Sequence, residues 1–310
     1  MKKIKFCIAV AILLVTACSK EKDGPNPMTM TTKQSNVIFY MTGTGTVTID
    51  WGDKTEKETY PLFGIEYGWD AKHSYNHAYS GTSTHIITIT GENITHLFCG
   101  YIGLSGLDVS RNPMLIELHC LFNQLTDLDV RKNTKLKLLS ASANLIASLD
   151  ISKNTELEDL RCGGNQLTIL DVSRNTELVD LYCNGNPMTS LDVSNNTKLT
   201  TLVCDDSGIN NLNVRGLTSL TRLVCGKSRN DIPGYLGNSL TSLDVSGCIS
   251  LSYLCCENNL LSVGALNALF ETLHNNMIVG GKDILISNNP GTNECLKSIA
   301  ENKGWWVTIR

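Results

Sequence analysis

The sequence lacks the motifs by which catalytic proteins are commonly recognised. It has no GxSxG nucleophile elbow, no glycine-rich loop that would cradle a phosphate, and no cysteine nucleophile with an evident partner. His73 and His77 have the spacing of metal ligands on a helix. However, no glutamate lies between them, and their surroundings predict loop and strand. We therefore predict that the protein is not an enzyme and has neither a cofactor nor a metal site.

Long apolar segments are also missing, which argues against a transmembrane anchor. The apolar run from Phe6 to Val15 is only about half of the ~20 residues that a membrane-spanning helix needs. Lysines precede this run and small residues end it, a pattern typical of a secretory signal over residues 1–17. Plain secretion with cleavage near Ala17 is one interpretation of the pattern.

A sharper interpretation rests on residues 15–18, Val-Thr-Ala-Cys, which resemble a bacterial lipobox. The resemblance implies that Cys18 is lipidated, becomes the first mature residue and holds the protein on a membrane. Residues 18–36 are polar and rich in helix breakers, so we predict a flexible linker there. Ser19 is not the aspartate that retains many lipoproteins at the inner membrane, and residues 20–23 resemble export tags. We expect a lipid-anchored outer-membrane protein at the cell surface.

A large positive charge is absent as well. Lys and Arg total 26 against 30 Asp and Glu. Without the three lysines of the signal the balance is 23 against 30, a net charge of about −7. This acidic balance argues against a nucleic-acid partner.

What the sequence does contain is a period of 21 residues. Leu-Asp-Val-Ser-like tetrads step by 21 residues five times and then by 31, beginning at Leu107, Leu128, Leu149, Leu170, Leu191, Leu212 and Leu243. A second series has the same steps and the same final insertion, at Cys99, Cys120, Ala141, Cys162, Cys183, Cys204, Cys225 and Cys256. Two ladders that share one period and one insertion indicate a repeat protein.

One unit shows the consensus pattern of the repeat. Its residues fit LxxLxCxxNxL and then a shorter LxVxxN, at Leu178, Leu181, Cys183, Asn186, Met188, Leu191, Val193 and Asn196. The pattern resembles the leucine-rich-repeat family, most closely an irregular bacterial subclass, with an internalin-like architecture. The resemblance covers about residues 94–262. We predict a β-rich leucine-rich-repeat solenoid of about eight coils, with two short strands per coil.

The segments on either side lack the repeat and are predicted to cap the open ends of the stack. Residues 37–93 contain alternating strand patterns, and Trp51-Gly52-Asp53 followed by His77-Ala78-Tyr79 resembles PKD-like domains. We therefore expect a small β module there. Residues 263–310 alternate helical and strand patterns, with helices predicted over 263–274 and 293–303. They are predicted to form an α/β C-terminal cap.

The cysteine ladder has three interpretations. Parallel neighbours keep their Cβ atoms ~4.8 Å apart, whereas a disulfide needs ~3.5–4.5 Å. Zinc sites would need clustered CxxC pairs, which the ladder lacks. Buried free thiols that pack as small apolar groups remain, and Ala141 on one rung supports this. Cys248, Cys255 and Cys295 lie off the ladder, and a single disulfide among them stays open.

The tetrads place carboxylates on one line, at Asp108, Asp129, Asp150, Asp171, Asp192 and Asp244, with Asn213 on the remaining rung. Regular carboxylates could bind calcium. However, the glycine-rich calcium loops of β-rolls are absent, and Asn213 shows that one rung needs no charge. We favour a structural or solubilising role.

Positions that vary from coil to coil are free of packing constraint and are the candidate ligand contacts. The predicted binding strip consists of Phe98, Tyr101, His119, Leu121, Phe122, Arg161, Tyr182, Asn184 and Asp205. The insertion in the ladder adds Lys227, Arg229, Asp231 and Tyr235. Aromatic and arginine side chains dominate interface energies. The sequence favours a non-enzymatic surface protein that adheres to an unidentified protein, with host extracellular proteins among the candidates. The alternative is a lipoprotein that captures a glycan for polysaccharide uptake.

Overall fold

The computed structural model describes residues 27–64, 73–226 and 237–309. The predicted signal peptide and the lipidation candidate Cys18 lie outside the described residues, as do the insertion residues Lys227, Arg229, Asp231 and Tyr235. Within the described ranges, no helix is both long enough and apolar enough to cross a membrane.

The N-terminal module is built from antiparallel strands in two sheets that share one core. Its strands are β1 (Met28–Thr32), β2 (Asn36–Thr44), β3 (Thr46–Asp50), β4 (Glu58–Pro61), β5 (Ser74–Ala78) and β6 (His85–Thr90). Alternate side chains are buried, such as Val37, Phe39 and Met41 of β2, because successive strand residues point to opposite faces. Trp51 is fully buried in the same core.

This module begins earlier than predicted. Residues 18–36 were expected to form a linker, but β1 lies within that range and pairs with β6. Met28 and Met30 are fully buried. The alternation Met-Thr-Met-Thr has the two-residue period of a strand. Its polar threonines made the segment resemble a flexible linker.

The solenoid follows without a break. Its strands are β7 (Asn93–Phe98), β8 (Leu104–Asp108), β9 (Glu117–His119), β10 (Leu138–Ser140), β11 (Asp159–Arg161), β12 (Asp180–Tyr182), β13 (Ser190–Asp192), β14 (Thr201–Val203), β15 (Asn211–Asn213), β16 (Arg222–Val224) and β17 (Tyr253–Cys255). The predicted leucine-rich-repeat solenoid is confirmed: from β7 onward, one strand of each coil joins a long parallel sheet.

The C-terminal segment extends the same sheet. It contains α1 (Val263–Thr272), β18 (Asp283–Leu285), α2 (Ser298–Glu301) and β19 (Trp306–Thr308). The Ser262 hydroxyl caps α1 by accepting the backbone N–H of Ala265. Strands β18 and β19 continue the parallel pairing from β17, so the cap adds two strands to the eight of the ladder coils. The second helix is shorter than predicted.

The N-terminal module joins both sides of the solenoid. On one side β2 pairs with β7, and on the other β1 pairs with β8. The Thr32 hydroxyl also donates to the Ile102 carbonyl of the first coil, at 2.8 Å. The edge of the long sheet is therefore covered, as a cap requires.

The prediction of two strands per coil holds only in part. Among the described tetrads, only β8, β13 and β15 are strands, and the last two pair with each other. The remaining tetrads run straight into a turn. In each of them the aspartate carboxylate accepts the backbone N–H two residues on, as from Ser173 to Asp171 at 2.9 Å.

Each coil therefore has two turns of different character. We name the six residues after each ladder cysteine, or after Ala141, the cysteine turn: 100–105, 121–126, 142–147, 163–168, 184–189 and 205–210. We name the five residues from each tetrad aspartate the aspartate turn: 108–112, 129–133, 150–154, 171–175 and 192–196. Seven of these eleven turns bury an asparagine that bonds to the neighbouring coil.

Candidate functional site

The outer face of the long sheet presents two columns of side chains. In each strand the middle residue is buried, so the residues before and after it point outward. The first column is His96, Glu117, Leu138, Asp159, Asp180, Thr201, Arg222, Tyr253, Asp283 and Trp306. The second column is Phe98, His119, Ser140, Arg161, Tyr182, Val203, Val224, Cys255, Leu285 and Thr308.

Four predicted residues of the binding strip lie in the second column. The ring of Phe98 packs against His119, with 5.6 Å between centroids, and Tyr40 meets Phe98 edge-on. The Arg161 guanidinium lies 5.2 Å from the centroid of the Tyr182 ring, on the next strand. Coulombic and stacking contacts thus hold these side chains in place before any partner arrives.

The first column was missed by sequence reasoning, although the same period of two could have found it. Two of its acidic members, Glu117 and Asp159, pair with the second column. Arg161 Nη2 donates to Asp159 Oδ2 at 2.8 Å, while Nε donates to Oδ1 at 3.0 Å. The hydrogen bond from His119 lowers the pKa of Glu117. Burial lowers the pKa of His96, whose Nε2 lies 3.9 Å from Glu117.

The C-terminal half of this face is different. Val224, Cys255 and Leu285 are buried there, with Val203 and Tyr253 packed against them. The Arg222 guanidinium lies 4.2 Å from the centroid of the Tyr253 ring. The second column is therefore apolar and buried from β16 to β18, whereas its charged and aromatic side chains lie on β7 to β12.

One predicted contact residue is wrong for a surface role. Asp205, which directly follows Cys204 of the ladder, is only 5% exposed. Burial, with the charge of Asp206 adding to it, raises the pKa of Asp205 to about 7. Its Oδ1 has no hydrogen-bond partner. Asp205 therefore cannot meet a ligand as the strip predicted.

Tyr101 and Phe122 lie off the strands, in the cysteine turns. Their rings stack with 4.7 Å between centroids and 14° between planes. They are 63% and 53% exposed, while Leu121 and Asn184 beside this column are half-buried. Both aromatic residues have left-handed backbones, with φ of 63° and 52°. Such a conformation is uncommon for bulky side chains and costs about 1–3 kcal/mol.

The thiols of the cysteine ladder are buried and free, as predicted. All ten cysteines of the described ranges are unpaired, including Cys248, Cys255 and Cys295. Burial raises the pKa of Cys120 and Cys162 to about 12. A thiol that stays protonated is a poor nucleophile and a poor metal ligand. The ladder therefore serves packing.

The remaining candidates have structural partners. His77 Nε2 lies 2.7 Å from Asp53 Oδ2, and its ring stacks on Trp51. The tetrad carboxylates bond to their own turns, and Asn213 makes the same bond to Arg215. Among the residues that the structure describes, no three His, Cys, Asp or Glu side chains are arranged to hold a metal ion.

Comparison with known proteins gives structural neighbours only. No family model and no curated protein sequence matches this chain. It is similar to the functional domain of InlJ from Listeria monocytogenes, described as including a cysteine ladder, with 29% identity and a TM-score of 0.47. That match covers 62% of this chain and 50% of the Listeria chain. A Shigella effector LRR domain matches with 21% identity and a TM-score of 0.44, covering 69% of this chain and 80% of the Shigella chain.

Proposed function

We propose that this chain is a non-enzymatic binding protein of the cell surface. In this proposal, the outer face of strands β7 to β12 contacts a protein partner, as an adhesin would. The observation that carries it is the Arg161–Tyr182 contact, flanked by Asp159 and Asp180, on a rigid sheet whose packing does not need these side chains. Arginine and tyrosine are enriched at interface hot spots.

The sheet also supplies the rigidity that binding rewards. Neighbouring strands hold each outward residue in register through the parallel hydrogen bonds, such as Arg161 beside Tyr182. The bidentate contact with Asp159 fixes the Arg161 guanidinium in advance. Side chains that are already ordered lose less conformational entropy on association.

The location belongs to the same proposal. The lipobox-like residues 15–18 and the polar segment that follows support attachment of Cys18 to the outer membrane. The resemblance of the N-terminal module to PKD-like domains stays a prediction. Capture of a glycan is the second candidate function, and the exposed Tyr101–Phe122 stack favours it.

The test is a binding screen of the full chain against extracellular host proteins, followed by Tyr182→Ala and Arg161→Ala in the protein that binds. We expect each variant to weaken binding about tenfold, with a nearly unchanged melting temperature. The matched control is Arg131→Ala. Arg131 donates to Asp129 with the same geometry, at 2.7 Å, but it lies in an aspartate turn.

The control should bind like the unaltered chain. If Arg131→Ala weakens binding as much as Arg161→Ala, the effect is general electrostatics and the strand face is not the interface. Unchanged binding in Tyr182→Ala and Arg161→Ala would also reject this face.

A further inference from the structure

The first five cysteine turns carry no charged residue. Their sequences are GYIGLS, LFNQLT, SANLIA, GGNQLT and NGNPMT. Charged residues make up 18% of the chain, so about five of these thirty positions would carry a charge at the average density. The charge returns in the sixth turn, with Asp205 and Asp206. We name residues 100–105, 121–126, 142–147, 163–168 and 184–189 the uncharged edge.

An aromatic platform stands at one end of the uncharged edge. The 4.7 Å spacing of the Tyr101 and Phe122 rings matches the ~4.8 Å step between coils. Tyr101 covers one face of the Phe122 ring. The next residue of the column is Ala143, so among the described residues no ring of this column covers the other face.

The floor beyond Phe122 is nearly free of side chains. Ala143, Gly164 and Gly185 follow on the next three coils, all with left-handed backbones. The ladder of backbone hydrogen bonds holds them in line, with Ala143 donating to Gly163 and Gly164 donating to Asn184, both at 2.8 Å. A Cβ built on Gly164 would find its nearest atoms 3.6 Å away, in Ala143. The floor is open rather than filled.

The polar groups beside this floor are neutral. Gln124 and Gln166 are exposed, and Ser142 and Asn184 are half-buried. Amides and hydroxyls offer both donors and acceptors, as the hydroxyls of a sugar do. A charged ligand would lose its hydration here without meeting an opposite charge, whereas a neutral one would not carry that cost.

We propose that the uncharged edge binds a neutral saccharide chain. One sugar ring stacks by its C–H face on the open face of Phe122, and the following rings lie over Ala143, Gly164 and Gly185. This inference rests on the second candidate function, glycan capture, and names its site and ligand class. The strand face and this edge are two separate surfaces, so the saccharide site does not depend on the proposed protein partner. Tyr101 and Phe122 keep a strained left-handed backbone although their exposed rings add little to packing. A role of these rings in ligand binding would explain why the strain is kept.

The experiment is affinity electrophoresis of the full chain in gels that contain dextran, a soluble β-glucan, xylan or galactomannan, with polygalacturonate as the anionic control. We expect retardation by at least one neutral polysaccharide and none by polygalacturonate. Phe122→Gly should weaken that binding about tenfold, because it removes the stacking ring. Gly164→Asn should also weaken it, because it fills the floor with a residue that tolerates the left-handed backbone.

Three comparisons keep the result specific. Leu296→Ala removes an exposed apolar side chain from the C-terminal segment and should change nothing. Arg161→Ala should leave saccharide binding intact, which separates this site from the proposed protein interface. The melting temperatures of both edge variants should stay within about 4 °C of the unaltered chain, so that lost binding is not lost folding.

The inference is overturned if none of the four neutral polysaccharides retards the chain, or if polygalacturonate retards it equally. It is also overturned if Phe122→Gly binds as the unaltered chain does. If Phe122→Gly instead abolishes binding of a protein partner, the uncharged edge belongs to a protein interface and the saccharide assignment fails.

Discussion

Three of the cysteine turns and all five aspartate turns bury an asparagine, yet the two kinds of asparagine are hydrogen-bonded to different degrees. In a cysteine turn, the Asn165 amide donates to the carbonyls of Cys162 and Ala141, and its Oδ1 accepts the N–H of Ile146, all at 3.0 Å. In an aspartate turn, Asn175 donates to Asn154 and Ile151 at 2.8 and 3.1 Å, but its buried Oδ1 has no partner.

This difference shows in which residues each ladder tolerates. Where the aspartate-turn ladder reaches later coils, Leu217 and Cys248 replace asparagine, and the Cys248 thiol donates to the Val214 carbonyl. The cysteine-turn ladder departs from asparagine at Ile102, in the first coil, and at Ser207. Where Ser207 stands, the buried N–H of Met188 has no amide oxygen from the next coil and donates instead to the Asn186 carbonyl at 2.8 Å. A buried N–H must be satisfied, whereas an extra carbonyl oxygen is tolerated.

The largest expected effect comes from removing a cysteine-turn asparagine, whose amide nitrogen and oxygen are both hydrogen-bonded. Asn165→Ala leaves the buried N–H of Ile146 without an acceptor and removes a bond to the neighbouring coil. We expect a loss of about 3 kcal/mol in the free energy of unfolding, measured by urea denaturation. The matched control is Asn175→Ala, which removes two hydrogen bonds but also removes an unsatisfied oxygen, and should cost about 1 kcal/mol.

Equal losses in the two variants would contradict this account, because they would mean that the unsatisfied Oδ1 carries no cost. A larger loss in Asn175→Ala would reverse it.

The second effect concerns the first carboxyl group of the cysteine turns. Burial raises the pKa of Asp205 to about 7, so the folded protein holds this proton more tightly than the unfolded chain. Stability from this group is therefore greatest at low pH and is lost as the pH rises through about 7. Asp205→Asn should stabilise the protein by about 2 kcal/mol at pH 8 and have little effect at pH 4.

Urea denaturation at the two pH values measures this difference. Asp171→Asn is the control of opposite sign, since hydrogen bonds from Ser173 lower the pKa of Asp171. If Asp205→Asn destabilises at pH 8, the carboxylate is satisfied in a way that its buried, unpartnered Oδ1 does not indicate.

The two kinds of turn also mark how far the sequence could predict this molecule. The leucine, cysteine and aspartate ladders repeat every 21 residues, so their register, burial and stacking follow from periodicity. The role of Asp171 was predictable because Asn213 occupies the same rung. The burial of Asp205 was not predictable, since a carboxylate at a position that varies between coils predicts exposure, whereas the fold buries it.

The sequence predicted which residues could contact a ligand, but it did not predict that they lie on two separate surfaces. Phe98, Arg161 and Phe122 were placed on one strip because each lies near a ladder cysteine. The structure separates them, since the chain turns with a left-handed residue two positions after the cysteine. Gly164 and Gly185 indicated a left-handed turn, because glycine adopts that backbone readily. Tyr101 and Phe122 occupy the same position in other coils and gave no such indication.

The smallest expected effect concerns the ion pair between Asp129 and Arg131 in an aspartate turn. The Arg131 side chain, with its backbone N–H adding to it, lowers the pKa of Asp129 to about 2. Stability from this group is present above about pH 4 and is lost as the pH falls through about 2.

Asn can keep the bond to the Arg131 N–H, as Asn213 does with Arg215, so Asp129→Asn removes mainly the ion pair. The pair is half exposed, so the variant should lose about 0.5 kcal/mol at pH 6, and this loss should shrink by pH 2. Urea midpoints at the two pH values decide it. A loss that does not change with pH would place the effect in turn geometry, and would mean that the charges of the aspartate turns serve solubility alone.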